Sequence, residues 1–289
     1  MKDQTKSSNL QYKVFTVTRP GLTRDPEMPA TPDNLKWVSN SSTFIYGDQD
    51  GALIDCFLTI DQTKQLIDFI LTLGKNLKYI YITHPHGDHY FGLKLLLDRF
   101  PSAKGVTSAS AAEAMLAHIE PDSVNVFWRS RFPNQIPEQL IAPTALENNY
   151  FEIEGHALQI IEDGFTDTHN STSIYVPSIG VIVAGDVVYN GIHPYLTETT
   201  KQTRQEWIAA LDKLASLHPK AVVAGHKNPD YPDNPDNIVA TKKYLEDFEQ
   251  LNNETSSAKD LFNKMFSLYP ERANPGSLWG AVTTVKQRT

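Results

Sequence analysis

Within the segment THPHGDHYFG, residues 83–92, stand three imidazoles and a carboxylate: His84, His86, Asp88 and His89. Two histidines two residues apart can turn both rings toward one ion. Asp88 and His89, beyond the tight Gly87, can turn toward a second ion beside it. Neutral imidazole and ionised carboxylate form a borderline-hard donor set of the kind that suits zinc. Three more residues of ligand type stand beside strand-like runs. His169 lies in GFTDTHN between two strand signals, Asp186 ends GVIVAGD, and His226 ends AVVAGH. Sites are commonly built where a rigid scaffold runs out into loop. One at a time, these residues would read as hydrogen-bonded strand ends. A single centre for two ions accounts for all seven, and for five of the nine histidines. His118, His156 and His218 lack such company and read as ordinary surface or capped positions.

The elements that would hold these residues can be followed along the chain. Residues 1–40 are polar, with prolines at 20, 26, 29 and 32, and read as an irregular arm or edge. TFIYGDQDGALIDCF then carries two apolar runs separated by Gly47 and Asp48–Gly51, a hairpin signal. Thr59 and Gln62 have the spacing of a capping box, and Leu66, Ile67, Ile70 and Leu73 recur at helical spacing before Gly74. A short strand at 79–82 feeds the histidine segment. A helix over 91–100, a strand near Val106 and a helix over 109–118 follow. Strand signals crowd at 150–153, 157–161, 172–176 and 181–184. Thr203 with Glu206 predicts a second capped helix carrying Trp207, Leu211 and Leu214, with a strand at 221–224 after it. Clusters of strands with helices between and after them favour two sheets sandwiched by helices over a doubly wound parallel sheet. The expected domains are an arm over 1–40, a central domain over 41–232 with an insertion at about 120–148, and a mainly helical extension over 233–289.

Composition narrows the class of partner. The 289 residues carry 26 Lys and Arg against 34 Asp and Glu, a formal charge of −8, and no basic run. That balance argues against nucleic acid and leaves a small-molecule substrate. No apolar stretch approaches the roughly 18 residues of a membrane span, so no membrane partner is expected. MKDQTKSSNL lacks the apolar centre of a signal peptide, so a cytoplasmic address is the default. The single cysteine, Cys56, rules out an internal disulfide framework and reads as a buried small hydrophobe. Phe248, Phe262, Phe266, Tyr269 and Trp279 would bury the tail against the sandwich or against the second subunit of a homodimer.

The ordered motifs H-x-H-x-D-H, then His, Asp and His, resemble those of the metallo-β-lactamase-fold superfamily over about residues 40–230. The resemblance implies an α+β fold, a four-layer αββα sandwich with a helical C-terminal tail, and two zinc ions at one edge of the sheets. By the family pattern His84, His86 and His169 would hold one ion, and Asp88, His89 and His226 the other. Asp186 would bridge them together with a water or hydroxide. True β-lactamases of this fold have Cys or Ser where Asp186 stands, so the chain is more similar to the glyoxalase II, lactonase and phosphodiesterase branches. The chemistry implied is hydrolysis of an ester, lactone or thioester of a small, mostly apolar substrate, since zinc lowers the pKa of bound water to about 7. An iron-dependent persulfide dioxygenase, with one Fe2+ on His84, His169 and Asp186, or a small-molecule phosphodiesterase, is the alternative.

Asp88 would then orient the nucleophile as well as bind metal. Tyr189, three residues after Asp186, matches a tyrosine of lactonases in this superfamily that aims at the substrate oxygen. His193 and Tyr195 would overhang the metals, His193 in a catalytic role and Tyr195 in the substrate pocket. Phe127 and Trp128, in the proline-bounded insertion, would wall an apolar pocket or pack a small subdomain.

Overall fold

Alternation along the strands decides the layering, because successive side chains in a strand take opposite faces. The computed structural model describes residues 9–22 and 25–287, the side chain of Ser123 apart. Its first sheet runs in chain order: β1 (Gln11–Pro20), β2 (Trp37–Tyr46), β3 (Asp50–Ile54), β4 (Asn76–Tyr81), β5 (Lys104–Thr107) and β6 (Thr144–Ala145). Phe44, Leu53 and Ile80 take one face, and Ile45, Ala52, Ile54 and Tyr81 the other. The first group packs against α1 (Ile60–Leu73), α2 (Gly87–Tyr90), α3 (Leu93–Arg99) and α4 (Ala109–His118) through Leu66, Ile70, Tyr90, Leu93, Leu96 and Met115. The chain then makes a single helical turn, α5 (Pro121–Ser123), continued by a wide π turn, Val124–Arg129. A cleft of about 420 Å3 opens beside it, lined by Ile119, Val124, Arg129 and Leu140 among others.

The second group meets the second sheet. There β7 (Tyr150–Ile153), β8 (His156–Gly164), β9 (Ser171–Val176) and β10 (Val181–Val183) form an antiparallel meander. The two-residue β11 (Tyr189–Asn190) follows, and then β12 (Ala221–Val223), which adds parallel to β10. Val181, Val183 and Val223 face the first sheet. Ile182 and Val222 face outward, onto α6 (Lys201–Ala215), α7 (Asp236–Glu254), α8 (Ala258–Leu268) and α9 (Pro275–Gln287). β13 (His226–Lys227) pairs parallel with β11. Helix, sheet, sheet, helix is the resulting order, with one apolar cluster at each of the three seams. None of the described helices is long and apolar enough to cross a membrane.

Local signals explain most boundaries. α1 has its capping box at Thr59 and Gln62, and Gly74 closes it in the left-handed conformation that costs glycine least. α6 begins three residues before the place its sequence suggests. Thr200 is the N-cap, and Thr203 answers from the third helical position in the role expected of Glu206. A hydroxyl can serve at either end of such a box, so residue type alone did not distinguish the two threonines. Part of the proline-rich arm is regular as well. Tyr12 and Val14 face the inter-sheet core while Phe15 and Val17 face the helices, so β1 forms the edge of the first sheet. Residues 1–8, 23 and 24 of that arm lie outside the described residues. In the tail, Phe248, Phe262 and Trp279 are buried against the second sheet's helical layer, with Phe266 and Tyr269 packed on it.

Candidate metal centre

Six of the seven residues with ligand chemistry meet at one edge of the sandwich, each carried by a strand end or the loop beyond it. β4 runs through Thr83 into His84. Thr83 is pinned on both sides, because its carbonyl accepts from Thr172 N at 2.9 Å and its own N–H donates to Asp55 Oδ1 at 2.8 Å. The short helix α2 then brings Asp88 and His89 round on one turn, with His89 N bonded to His86 O. Asp186 sits on the tight turn Gly185–Val187 after β10, and His226 opens β13 beside Tyr189.

Each ring is oriented from behind, as imidazole ligands require. His84 Nδ1 lies 2.9 Å from Thr83 Oγ1, which donates on to Asp55 Oδ2 at 2.8 Å. His89 Nδ1 lies 3.0 Å from the same Asp55 oxygen, and His226 Nδ1 is held by the Ser39 carbonyl. These three therefore present Nε2. His86 is reversed: its Nε2 bonds Glu198 Oε1 at 3.1 Å, and its Nδ1 faces Asp167 Oδ2 at 2.9 Å. Asn40 Nδ2 donates to Asp88 Oδ2 at 3.0 Å.

The result is two joined groups of donors. His84, His86, Asp167 and Asp186 form one, with donor atoms within 4.8 Å of one another. Asp88, His89 and His226 form the other on the same measure. Asp186 reaches across: its Oδ2 is 3.9 Å from His84 Nε2 and 3.1 Å from His226 Nε2, and its Oδ1 is 3.3 Å from His89 Nε2. Asp55 also lies close to His84 and His89, but its oxygens are taken by Thr83 and His89 Nδ1. It acts behind the ligands.

This donor set fits divalent metal by its unsatisfied donor atoms. His84 Nε2, His89 Nε2 and Asp186 Oδ1 are buried without a hydrogen-bond partner, and His84 Nε2 also faces Asp167 Oδ2 at 3.8 Å. Buried polar groups are ordinarily satisfied, and cations are what bare Nε2 and carboxylate lone pairs in one place share as a partner. The electrostatics agree. Burial opposes charge on Asp186, yet His226 and His89 hold it well below the usual carboxylate range. Burial likewise opposes charge on His89, but Asp186 and Asp55 push it up to about 10. Burial and the neighbouring His89 keep His84 well below the ordinary histidine value.

The structure leaves His169 out of this convergence. Its side chain is exposed, with its ring 6.2 Å from that of His118 and Nδ1 near Thr168 Oγ1, and Asp167 two residues earlier stands in its place. The loop sets that choice, since Thr166 Oγ1 donates to Asp167 Oδ1 at 2.9 Å and Thr166 N bonds Thr168 O. Tyr189 is buried, stacked on His226, and its hydroxyl donates to Asp186 Oδ2 at 2.8 Å. Tyr195 lies edge-on to the His86 ring at 5.5 Å.

Phe127 is exposed under Arg131, and Trp128 packs on Phe91 behind the histidine segment. Their contacts are within the insertion and its seam, not at the donor atoms. His193 is fully buried among the C-terminal helices, its Nδ1 bonded to Tyr244 Oη at 2.9 Å and its ring stacked on Phe266, so it does not overhang the metals. Asp55, Asp167, Glu198 and Asn40 were not singled out from the sequence. Asp55 ends a strand as Asp186 does, and the same rule would have found it.

Burial of His193, reinforced by Arg272, holds its pKa down to about 3. The folded chain refuses a proton that the unfolded chain accepts below about pH 6.5. Stability from this residue is therefore full above that pH and falls by about 1.4 kcal/mol per unit toward pH 3. His193→Asn should shallow the acid limb of a denaturation series, and an unchanged slope would count against this account.

The Metallo-beta-lactamase superfamily model matches residues 35–226. The chain is 27% identical over 190 residues to the uncharacterized protein YobT of Bacillus subtilis (strain 168), across 62% of this chain and 79% of that one. A metallo-β-lactamase family protein from Thermus thermophilus superposes with a TM-score of 0.61 at 20% identity, covering 92% of this chain and 91% of that one. A metallo-β-lactamase from Pontibacter korlensis gives 0.58 at 18% identity, covering 82% and 99%. With the two groups of imidazole and carboxylate donors placed at the edge of an αββα sandwich, the chain belongs to the metallo-β-lactamase superfamily.

Proposed function

We propose that the protein is a dinuclear zinc hydrolase acting on an ester, lactone or thioester of a small, mostly apolar molecule. One observation carries this reading: Asp186 stands between two groups of two imidazoles and one carboxylate, with bare donor atoms of His84, His89 and Asp186 turned inward. His84, His86 and Asp167 would hold one ion and Asp88, His89 and His226 the other, with Asp186 shared. When bound, the pair supplies Lewis acidity and a water whose pKa is low enough to ionise near neutrality.

The chain's own residues do the rest. Asp88, fixed at Oδ2 by Asn40, would orient the nucleophile. Tyr195, beside His86, borders the place where the substrate would lie. His169, exposed outside the cluster, belongs to the ligand sets the resemblance implies for both the hydrolase and the dioxygenase, so metal content is what separates the two. Elemental analysis of purified protein, followed by a screen of lactone, thioester, ester and phosphodiester substrates, tests the reading. One tightly held iron and no second metal would defeat it.

The position of Tyr189 changes what its substitution should do. Its hydroxyl is engaged with Asp186 and buried, so it positions the shared carboxylate. A hydrogen bond to a charged group contributes about 1.5–3 kcal/mol. Tyr189→Phe should therefore lower metal affinity by roughly tenfold or more, measured by chelator competition. Intact affinity with a fall in kcat alone would return the phenol to the oxyanion role suggested by the resemblance.

A further inference from the structure

Between β11 and α6 the chain runs through residues 191–199 without a helix or named strand of its own. Two side chains of this loop reach His86. Tyr195 lies edge-on to its ring at 5.5 Å, and Glu198 Oε1 is 3.1 Å from its Nε2. Glu198 Oε2 also accepts from Thr168 Oγ1 at 2.8 Å, beside Asp167. A loop this long keeps such contacts only if its backbone is fixed elsewhere.

Residues beyond His226, the last of the proposed ligands, fix it at one end. Ala273 N donates to Gly191 O and His193 N donates to Ala273 O, both at 2.9 Å. Arg272 Nη1 donates to Ile192 O at 2.8 Å, and Ser277 Oγ donates to Pro194 O at 3.1 Å. Arg272 is buried, its guanidinium 5.0 Å from the Tyr244 ring centre and 5.3 Å from that of Tyr269.

At the other end the anchor is Arg204 of α6, also buried. Its Nη1 donates to Thr199 Oγ1 at 2.7 Å, while its Nε donates to Glu249 Oε1 of α7 at 2.6 Å. A guanidinium can serve both acceptors at once because its donors form a planar fork. Thr199 closes the turn that presents Glu198, since its N and Oγ1 both donate to Leu196 O, at 3.1 and 2.8 Å. Buried charge is costly unless its donors are satisfied. Both arginines find part of that satisfaction on loop atoms, so the loop cannot leave without stripping them.

We infer that Arg204 and Arg272 are positioning residues of the metal centre: through residues 191–199 they hold Glu198 and Tyr195 against His86. This rests on the dinuclear reading, in which His86 is a ligand, and adds what keeps that ligand in place. The C-terminal helices thereby become part of the site without lending it a donor atom.

Thr199→Val tests the link at Arg204, because it keeps the shape of the side chain and the Arg204–Glu249 pair but removes the hydroxyl. In metal-free protein, amide exchange at Thr199 should quicken by tenfold or more while α6 and α7 stay protected. Zinc affinity, by chelator competition, should fall about tenfold, the lower end of the 10–100-fold range for an outer partner of a ligand. Thr199→Ser should restore both. Arg272→Gln should act from the other end, quickening exchange at His193 and weakening zinc by a similar factor. Leu214→Ala, buried at the far end of α6, should melt earlier yet bind zinc as wild type does.

Wild-type zinc affinity in Thr199→Val and Arg272→Gln would overturn the inference and leave the hydrolase reading intact. An equal loss in Leu214→Ala would overturn it too, by showing that general destabilisation suffices. Failure of wild type to bind zinc would remove both readings.

Discussion

Asp186→Ala is expected to leave the protein with less than one metal ion per chain and to reduce hydrolysis more than a hundredfold. Losing an outer partner of a ligand already costs 10–100-fold, and Asp186 is placed against donors of both halves. Its oxygens lie 3.1 Å from His226, 3.3 Å from His89 and 3.9 Å from His84. Removing it also takes away the acceptor of the buried Tyr189 hydroxyl, at a cost of about 1–3 kcal/mol. The folded protein should therefore melt earlier even without metal. Asp186→Asn gives a second measure, since it keeps an acceptor for Tyr189 but loses the charge: stability should recover and metal should not. His226→Ala should take metal mainly from one half. Full metal content in Asp186→Ala would show that the carboxylate is not shared.

Gly225→Ala should damage the centre as severely, although glycine has no side chain to bind anything. A Cβ at this position would lie 2.2 Å from Asp186 Oδ1, 2.9 Å from the Gly185 carbonyl carbon and 3.0 Å from His89 Cε1. The neighbours cannot all retreat. Gly225 N bonds Gly185 O at 2.7 Å, and Gly225 O receives Ser41 N at 2.8 Å, so the backbone is fixed from both sides. Overpacking of this kind costs about 1–3 kcal/mol. It falls on Asp186, which would be shared by the halves, and on His89 beside it, so metal per chain should drop well below wild type in a protein that still folds. Wild-type metal content in Gly225→Ala would mean that the turn carrying Asp186 is softer than these contacts indicate.

What could be read from residue order follows from the range of each interaction. The cap of α1, the hairpin of β2 and β3 and the alternation of the central strands depend on neighbours a few residues apart. So does H-x-H-x-D-H, because one strand end and one helical turn place all four side chains. The loop before β9 is another matter. In TDTH a carboxylate and an imidazole are both plausible ligands, and which one turns inward depends on bonds among Thr166, Thr168 and Ser171 that spacing does not reveal. Reading the loop by family pattern selected His169, and the fold turned Asp167 inward.

His193 was misplaced for a related reason. It is near Asp186 in the chain, but the C-terminal helices bury it against Tyr244, 51 residues away. Contacts that depend on such separations become visible only when the layers close. The strand over Gln11–Pro20 was obscured differently, by judging forty residues on their prolines when ten of them alternate.

The donors are divided between the two sheets of the sandwich. His84, Asp88 and His89 follow a strand of the first sheet, whereas Asp167, Asp186 and His226 come from loops and strand ends belonging to the second. A cation held by both sets is a crosslink across the inter-sheet core, and its binding energy becomes folding energy by mass action. Each tenfold excess of free metal over the dissociation constant then adds about 1.4 kcal/mol to the stability of the closed sandwich. In a cell with scarce metal, the abundance of this protein would therefore follow the supply of its ions, before any question of catalysis arises.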